Sequence, residues 1–267
     1  MKKRTLSLLW LFCLTLLVSG SSDLCAQLPQ TLEIGVKGGA AYYVGDLNPS
    51  KQFCNPTLQY GAIARYNIDP RWTFRLDYSH GTVEGSDAIY KFRPERGLSF
   101  HTKFDELNFI VEFNFLEYYT GIKKRSFSPY FFGGASVFMF NTYTLDGSVE
   151  LRPLMTEGQE RPYSPVSWGI PFGFGFKFGL GSRIGIAMEW QMLKTFTDYI
   201  DDVSGLYPES HVIDEETGYD YTDPTGNYSA GMQRGDSKSN DWLGFASLSI
   251  TYKINLPKRE MCNLKKR

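Results

Sequence analysis

The chain has 267 residues, with 28 Lys+Arg against 29 Asp+Glu, 42% hydrophobic and 16% aromatic side chains. Removing a signal peptide at 1–26, which carries Lys2, Lys3, Arg4 and Asp23, leaves 241 residues with 25 basic and 28 acidic groups, net −3. That balance excludes a nucleic-acid binder driven by phosphate neutralisation, and the apolar content excludes a disordered chain. The length suits one domain or two, and one if the chain is a barrel.

Residues 1–26 read as a cleaved export signal. Lys2-Lys3-Arg4 is a basic n-region, Leu6 to Val18 an apolar h-region, and Leu24-Cys25-Ala26 offers a small residue before Gln27. The apolar run is about 13 residues, whereas a spanning helix needs roughly 20. Ser22-Asp23-Leu24 is a poor lipobox before Cys25, and an earlier cut after Gly20 would keep Cys25 in the mature chain. Cys54 and Cys262 remain in either case, too few for a disulfide scaffold.

The remainder, with 17 Tyr, 20 Phe and 26 Gly, has the aromatic and turn-forming content of β-structure. Eight segments alternate with period two: Leu32–Val44, Gln59–Ile68, Trp72–Val83, Phe104–Leu116, Phe127–Tyr143, Trp168–Leu180, Ile184–Leu193 and Trp242–Ile254. The sixth shows the pattern best. Ile170, Phe172, Phe174, Phe176 and Phe178 alternate with Pro171, Gly173, Gly175, Lys177 and Gly179. The fifth is apolar on both faces, so its phase stays open. Most of these segments are long for a soluble protein and suit tilted membrane strands.

The connections alternate too. Residues 45–58, 84–103, 144–167 and 194–241 are long; 69–71 and 181–183 are tight, with Asp69-Pro70 and Gly181-Ser182 as turn chemistry; 117–126 is intermediate. Long loops at one end, short turns at the other and an even strand count describe an eight-stranded antiparallel outer-membrane barrel over 27–255, with both termini periplasmic. A soluble lipocalin-like barrel would place the same apolar face inward. Aromatic residues at strand ends favour the membrane: Tyr42, Tyr60, Tyr78, Trp168 and Trp242 at the long-loop end, and Tyr66, Trp72, Tyr118, Tyr119, Tyr130 and Tyr252 at the other.

The polar faces carry Glu33, Asp77, Glu106, Glu112 and Glu189 against Lys37, Arg65, Arg75, Lys177 and Lys253. An eight-stranded barrel has room inside for side chains and little else, so these charges are expected to pair into a salt-bridged plug. No catalytic residue is proposed. Ser79, His80 and Glu84 are the nearest approach to a nucleophilic triad, but adjacent strand residues point to opposite faces. The histidines and cysteines show no metal-ligand spacing.

The loop 196–241 holds eleven acids against Arg234 and Lys238, net −9. Calcium is one reading, since hard cations prefer carboxylates; a solvated outer loop repelled by anionic lipid heads is the other. Asp198, Tyr199, Asp201, Asp202, Arg234, Asp236, Asn240 and Asp241 are its candidate loop or partner contacts, with the Asp198/Asp201/Asp202 group and Arg234, at opposite ends of the loop, candidates to pin it over the barrel mouth by an ion pair. The tail 256–267 is basic, net +4, and is expected to hang in the periplasm as a docking strip or a free end.

Three blocks carry a resemblance: Gly38-Gly39-Ala40-Ala41-Tyr42-Tyr43-Val44-Gly45-Asp46-Leu47, Thr195-Phe196-Thr197-Asp198-Tyr199-Ile200-Asp201-Asp202-Val203-Ser204, and Arg234-Gly235-Asp236-Ser237-Lys238-Ser239-Asn240-Asp241-Trp242. Together they resemble the PorG-like outer-membrane barrels of Bacteroidetes, often labelled only as a domain of unknown function. Trp242-Leu243 departs slightly from the Trp-Tyr of that pattern. The resemblance implies a non-enzymatic component of the type IX secretion system, associated with the periplasmic PorK/PorN ring, while cargo passes through a different and larger barrel. Its expected surroundings are outer-membrane lipid and those ring proteins, with no nucleic acid and no small-molecule substrate. A free-standing surface barrel acting through its acidic loops is the first alternative, and a lipid-modifying barrel enzyme the second.

Overall fold

The computed structural model describes residues 30–256. The signal peptide expected at 1–26 and the charges of the basic tail lie outside the described residues. Eight strands follow one another: β1 (Thr31–Val44), β2 (Thr57–Asn67), β3 (Trp72–Ser86), β4 (Ser99–Asn114), β5 (Phe127–Tyr143), β6 (Val166–Leu180), β7 (Ile184–Thr195) and β8 (Trp242–Asn255). Each pairs antiparallel with its sequence neighbours, and β1 closes on β8 from Thr31↔Asn255 to Val44↔Trp242. Closure leaves no strand edge, which is what a sheet in hydrocarbon requires.

The two faces settle which way the barrel is built. On β6 burial alternates without a break: Trp168, Ile170, Phe172, Phe174, Phe176 and Phe178 are exposed, while Ser167 and Lys177 are buried in the lumen. On β3, Trp72, Phe74, Leu76 and Tyr78 face out, and Thr73, Arg75, Asp77 and Ser79 face in. A soluble barrel would reverse this. An apolar belt outside and buried charges inside are the mark of a barrel that uses lipid as its solvent.

Alternation also resolves β5. Phe127, Phe131 and Met139 face out, and Ser128, Tyr130, Phe132, Ser136, Phe138, Phe140 and Thr142 face in. The inward aromatics need space, and β6 supplies it. A Cβ at Gly173 would sit 2.7 Å from the Phe132 ring and 2.1 Å from the Trp190 carbonyl oxygen; at Gly175 it would sit 2.9 Å from the Tyr130 ring. The Phe-Gly alternation of β6 thus presents rings to lipid and room to the lumen.

Several expectations need correction. Tyr130 is not an interfacial aromatic; it lies in the lumen and donates to Glu189 at 2.7 Å. Tyr118 is buried in the 115–126 connection, which folds into the barrel's short-turn end, and Tyr42 is covered by Phe53 at 4.8 Å between ring centroids. The expected loop 84–103 shrinks to 87–98, because β3 and β4 continue pairing to Ser86↔Ser99. In that extension Glu84 lies opposite His101, and the two are 2.9 Å apart. A short helix, α1 (Asp87–Tyr90), turns the corner with the Ser86 side chain accepting from the Ala88 amide. β4 ends at Asn114, two residues earlier than its alternation suggested.

Candidate functional site

The lumen has two storeys. In the half nearer the short turns, Arg75 on β3 reaches three carboxylates on three strands: Asp77 at 2.8 Å, Glu112 at 2.9 Å and Glu189 at 2.6 Å. Arg65 approaches Glu112 at 3.1 Å, and Lys177 meets its other oxygen at 2.5 Å. Lys37 holds Asp77 at 2.7 Å, and the Asn108 amide donates to the same oxygen at 3.0 Å. Phe132 lies under the Arg75 guanidinium at 4.6 Å, and Tyr130 under the Lys177 ammonium at 4.7 Å.

All ten luminal charges are buried, but the expected pairing holds for seven: Glu33, Glu106 and Lys253 are met by neutral hydrogen-bond partners in place of an opposite charge. Glu106 accepts from Ser136 at 3.3 Å and Gln191 at 3.4 Å. Glu33 and Lys253 are joined through Thr120, whose hydroxyl donates to Glu33 at 2.7 Å and whose carbonyl accepts from Lys253. The 115–126 connection therefore closes the floor, a role its sequence does not signal.

The upper storey is apolar. Tyr43, Phe100, Phe104, Phe138, Phe140, Leu193 and Phe245 point inward and pack against Ile200 and Val203, which dip into the barrel mouth from the β7–β8 loop. Backbone and acids then tie that loop down. The Ile200 carbonyl accepts from Thr102 at 2.5 Å and Thr142 at 3.1 Å, and its amide donates to Asp241 at 2.9 Å. The Tyr43 hydroxyl donates to Asp201, and lies 3.1 Å from Asp241. Asp202 accepts from Thr156 at 2.5 Å and Tyr163 at 3.0 Å.

Two arginines join all four long loops. Arg96 grips Asp87 at 2.7 Å and donates to the backbone carbonyls of Arg234 and Asp46. Arg234 meets Glu157 at 3.1 Å and the Asp202 carbonyl at 2.5 Å, with the Asp202 carboxylate at 3.9 Å. The expectation that Arg234 pins the loop on the Asp198/Asp201/Asp202 group is thus corrected in part: its principal partner is Glu157 of another loop. The solvated-loop reading is corrected in part: Asp198, Asp201, Asp202, Arg234 and Asp241 are buried within this cap, with Asp202 and Arg234 reaching the β5–β6 loop, while Glu209, Glu215, Glu216 and Asp236 are exposed. Tyr199 and Asn240 are half-buried; Asp236 is exposed, though its amide donates to Asp46.

Crowding of carboxylates in the cap raises their proton affinity. Burial first, then neighbouring acids, pushes Asp198 up to about 8 and Asp46 up to about 6. Burial and mutual repulsion push Asp201 and Asp241 well above the usual carboxylate range. Among the described residues, no group of three or more His, Cys, Asp or Glu side chains is placed to hold a metal ion. Nor do Ser79, His80 and Glu84 meet: Ser79 is buried in the lumen, His80 pairs outside with Asp105 at 2.9 Å, and Glu84 pairs with His101. Cys54 is a free, half-buried thiol.

The model of a domain of unknown function, DUF6089, matches residues 8–262. The chain belongs to the DUF6089 family. No curated protein matches it. Among solved structures, this DUF6089 protein is similar to neisserial surface protein A, with 11% identity, TM-score 0.44, and 84% of this chain and 97% of that one covered. It is also similar to the attachment invasion locus protein Ail of Yersinia pestis, solved with the heparin analogue sucrose octasulfate, with 10% identity, TM-score 0.43, and 85% and 100% covered. OprG of Pseudomonas aeruginosa matches with 11% identity, TM-score 0.42, and 86% and 98% covered.

Replacing Arg75 by Met leaves three carboxylates facing one another in a closed lumen. Truncating one partner of a buried ion pair costs roughly 3–5 kcal/mol, so urea unfolding of refolded Arg75→Met in lipid vesicles should show a loss of that order. For the cap, the linkage runs the other way from an ordinary carboxylate. An opened cap returns its acids to values near about 4, so the closed cap binds more protons between that pH and about 8. Closure is then strongest at low pH and weakens as pH rises through this window. Amide protection factors at Ile200 and Val203 should fall between about pH 5 and about pH 8; constant or rising protection would contradict the assignment.

Proposed function

We propose that this chain is a non-enzymatic outer-membrane barrel that serves as a component of a type IX secretion assembly, associated with PorK- and PorN-like periplasmic ring proteins. The observation that carries the non-conduit part is the filled lumen: charges below, aromatic side chains above, a folded connection at the floor and a tied cap at the mouth. Such a barrel offers its two ends and its lipid-facing wall, so its work is anchoring and docking. The secretion part rests on the resemblance of residues 38–47, 195–204 and 234–242 to PorG-like barrels. In this reading both termini face the periplasm, and the 115–126 connection and basic tail present the docking side.

A second reading, a free-standing surface barrel, is favoured by one feature: the long loops form a single locked cap where mobile loops would serve a simple anchor equally well. The two readings part in a pull-down. Tagged protein solubilised gently from its own membranes should bring PorK- and PorN-like proteins with it, read by mass spectrometry. Recovery of the barrel alone, under conditions that keep the ring intact, would overturn the secretion reading and leave the free-standing barrel.

A further inference from the structure

Above the tied floor of the cap lies a cavity of about 650 Å³, within the range of small-ligand sites. It opens between the turn that follows β5 and the 213–221 segment of the β7–β8 loop. Leu98, Leu145, Val149, Leu151 and Pro224 give it apolar walls, and Val203 reaches it from below.

Its mouth is acidic. Asp146 and Asp214 stand at the rim, while Asp201 and Asp202 are buried beside the one cation of the lining, Arg234, which is already engaged by Glu157. The two rim acids are built in place. Asp146 accepts from the Thr144 hydroxyl at 2.5 Å and the Ser148 amide at 3.1 Å. Asp214 accepts from the Thr217 amide at 2.7 Å and the Tyr221 hydroxyl at 3.0 Å. Hydrogen bonds to the charged form hold both below the usual carboxylate range, so both are anionic at neutral pH.

Two rings complete the rim. Tyr219 and Tyr221 pack edge to face, 5.1 Å between centroids at 68°, and Tyr219 is 43% exposed despite its size. The charge of Asp146 acts on both phenols from the facing turn. Tyrosine faces attract cations, and the attraction grows when carboxylates stand beside them and water is partly excluded. An apolar cavity with anionic, aromatic walls at its mouth repels anions and gives neutral apolar molecules no polar partner. It complements an apolar body that ends in an ammonium group.

We propose that the cavity between residues 144–151 and 213–221 binds an organic ammonium ion, its apolar body against Leu98, Leu145 and Leu151 and its charged end between Tyr219, Asp146 and Asp214. A free amine and the amino end of a peptide share this chemistry.

The test uses the full folded chain in uncharged maltoside micelles, since choline headgroups would compete. Isothermal titration compares phenethylammonium with neutral 2-phenylethanol and anionic phenylacetate. The expected result is saturable binding of phenethylammonium, weakened at least tenfold for the other two. Asp214→Asn and Tyr219→Leu, both at the exposed rim, should each weaken the cation about tenfold while heat-modifiable migration shows the barrel folded. Phe-Gly-Gly-amide distinguishes the sources: binding tighter than phenethylammonium assigns a peptide end, and weaker binding a free amine. No saturable binding of either cation, equal binding of cation and alcohol, or binding indifferent to both variants would overturn the proposal.

Discussion

Arg75 crosses the lumen to three carboxylates from β3, β4 and β7, and the remainder of the interior is arranged around it. Desolvating a guanidinium is costly unless carboxylates pair with it; Nε and Nη1 of Arg75 meet them, while Nη2 is buried without a hydrogen-bond partner. The two acids Glu112 and Glu189 in turn draw in Arg65, Lys177 and Tyr130, and Asp77 draws in Lys37. Strand register is thereby held from inside, where a slip of one residue in any of these strands would turn that strand's charges toward lipid. Gly173 and Gly175 belong to the same arrangement, since only an absent side chain on β6 lets Phe132 and Tyr130 lie against the two cations.

Sealing at the other storey works by different physics. There the lumen is filled by inward aromatic side chains, and Ile200 and Val203 complete the packing from a loop. Burying that loop segment obliges its backbone and acids to find partners, which Thr102, Thr142, Tyr43, Tyr163 and the two arginines supply. The cap is thus an extension of the barrel core, and the loops above it are free to differ in shape and to enclose the cavity at 144–151 and 213–221.

Strand number, order and facing could be read from the sequence wherever the two faces differ in polarity, as on β3 and β6. The same signal vanishes where they do not. β5 carries rings on both faces, so neither its phase nor the luminal place of Tyr130, Phe138 and Phe140 was legible. Gly85 and Ser86 look like turn residues until Glu84 is seen opposite His101. In the acidic loop, counting charges found the acids and missed their fate, because a net of −9 says nothing about a hydroxyl from β1 or a lone Glu157 in another loop. The resemblance of three blocks fell on residues that the fold gathers at the mouth, and the one family that contains the chain is described without a function.

Paired charge below and packed rings above fill the lumen, which leaves no open path for ions. Electrical recording from purified, folded protein in planar lipid bilayers tests this most directly. The unaltered barrel should give no current steps above the bare membrane in concentrated KCl, and truncating Arg75 and Lys177 together should leave it silent while the packed rings and the cap remain in place. Stable, reproducible conductance from the unaltered barrel would contradict it.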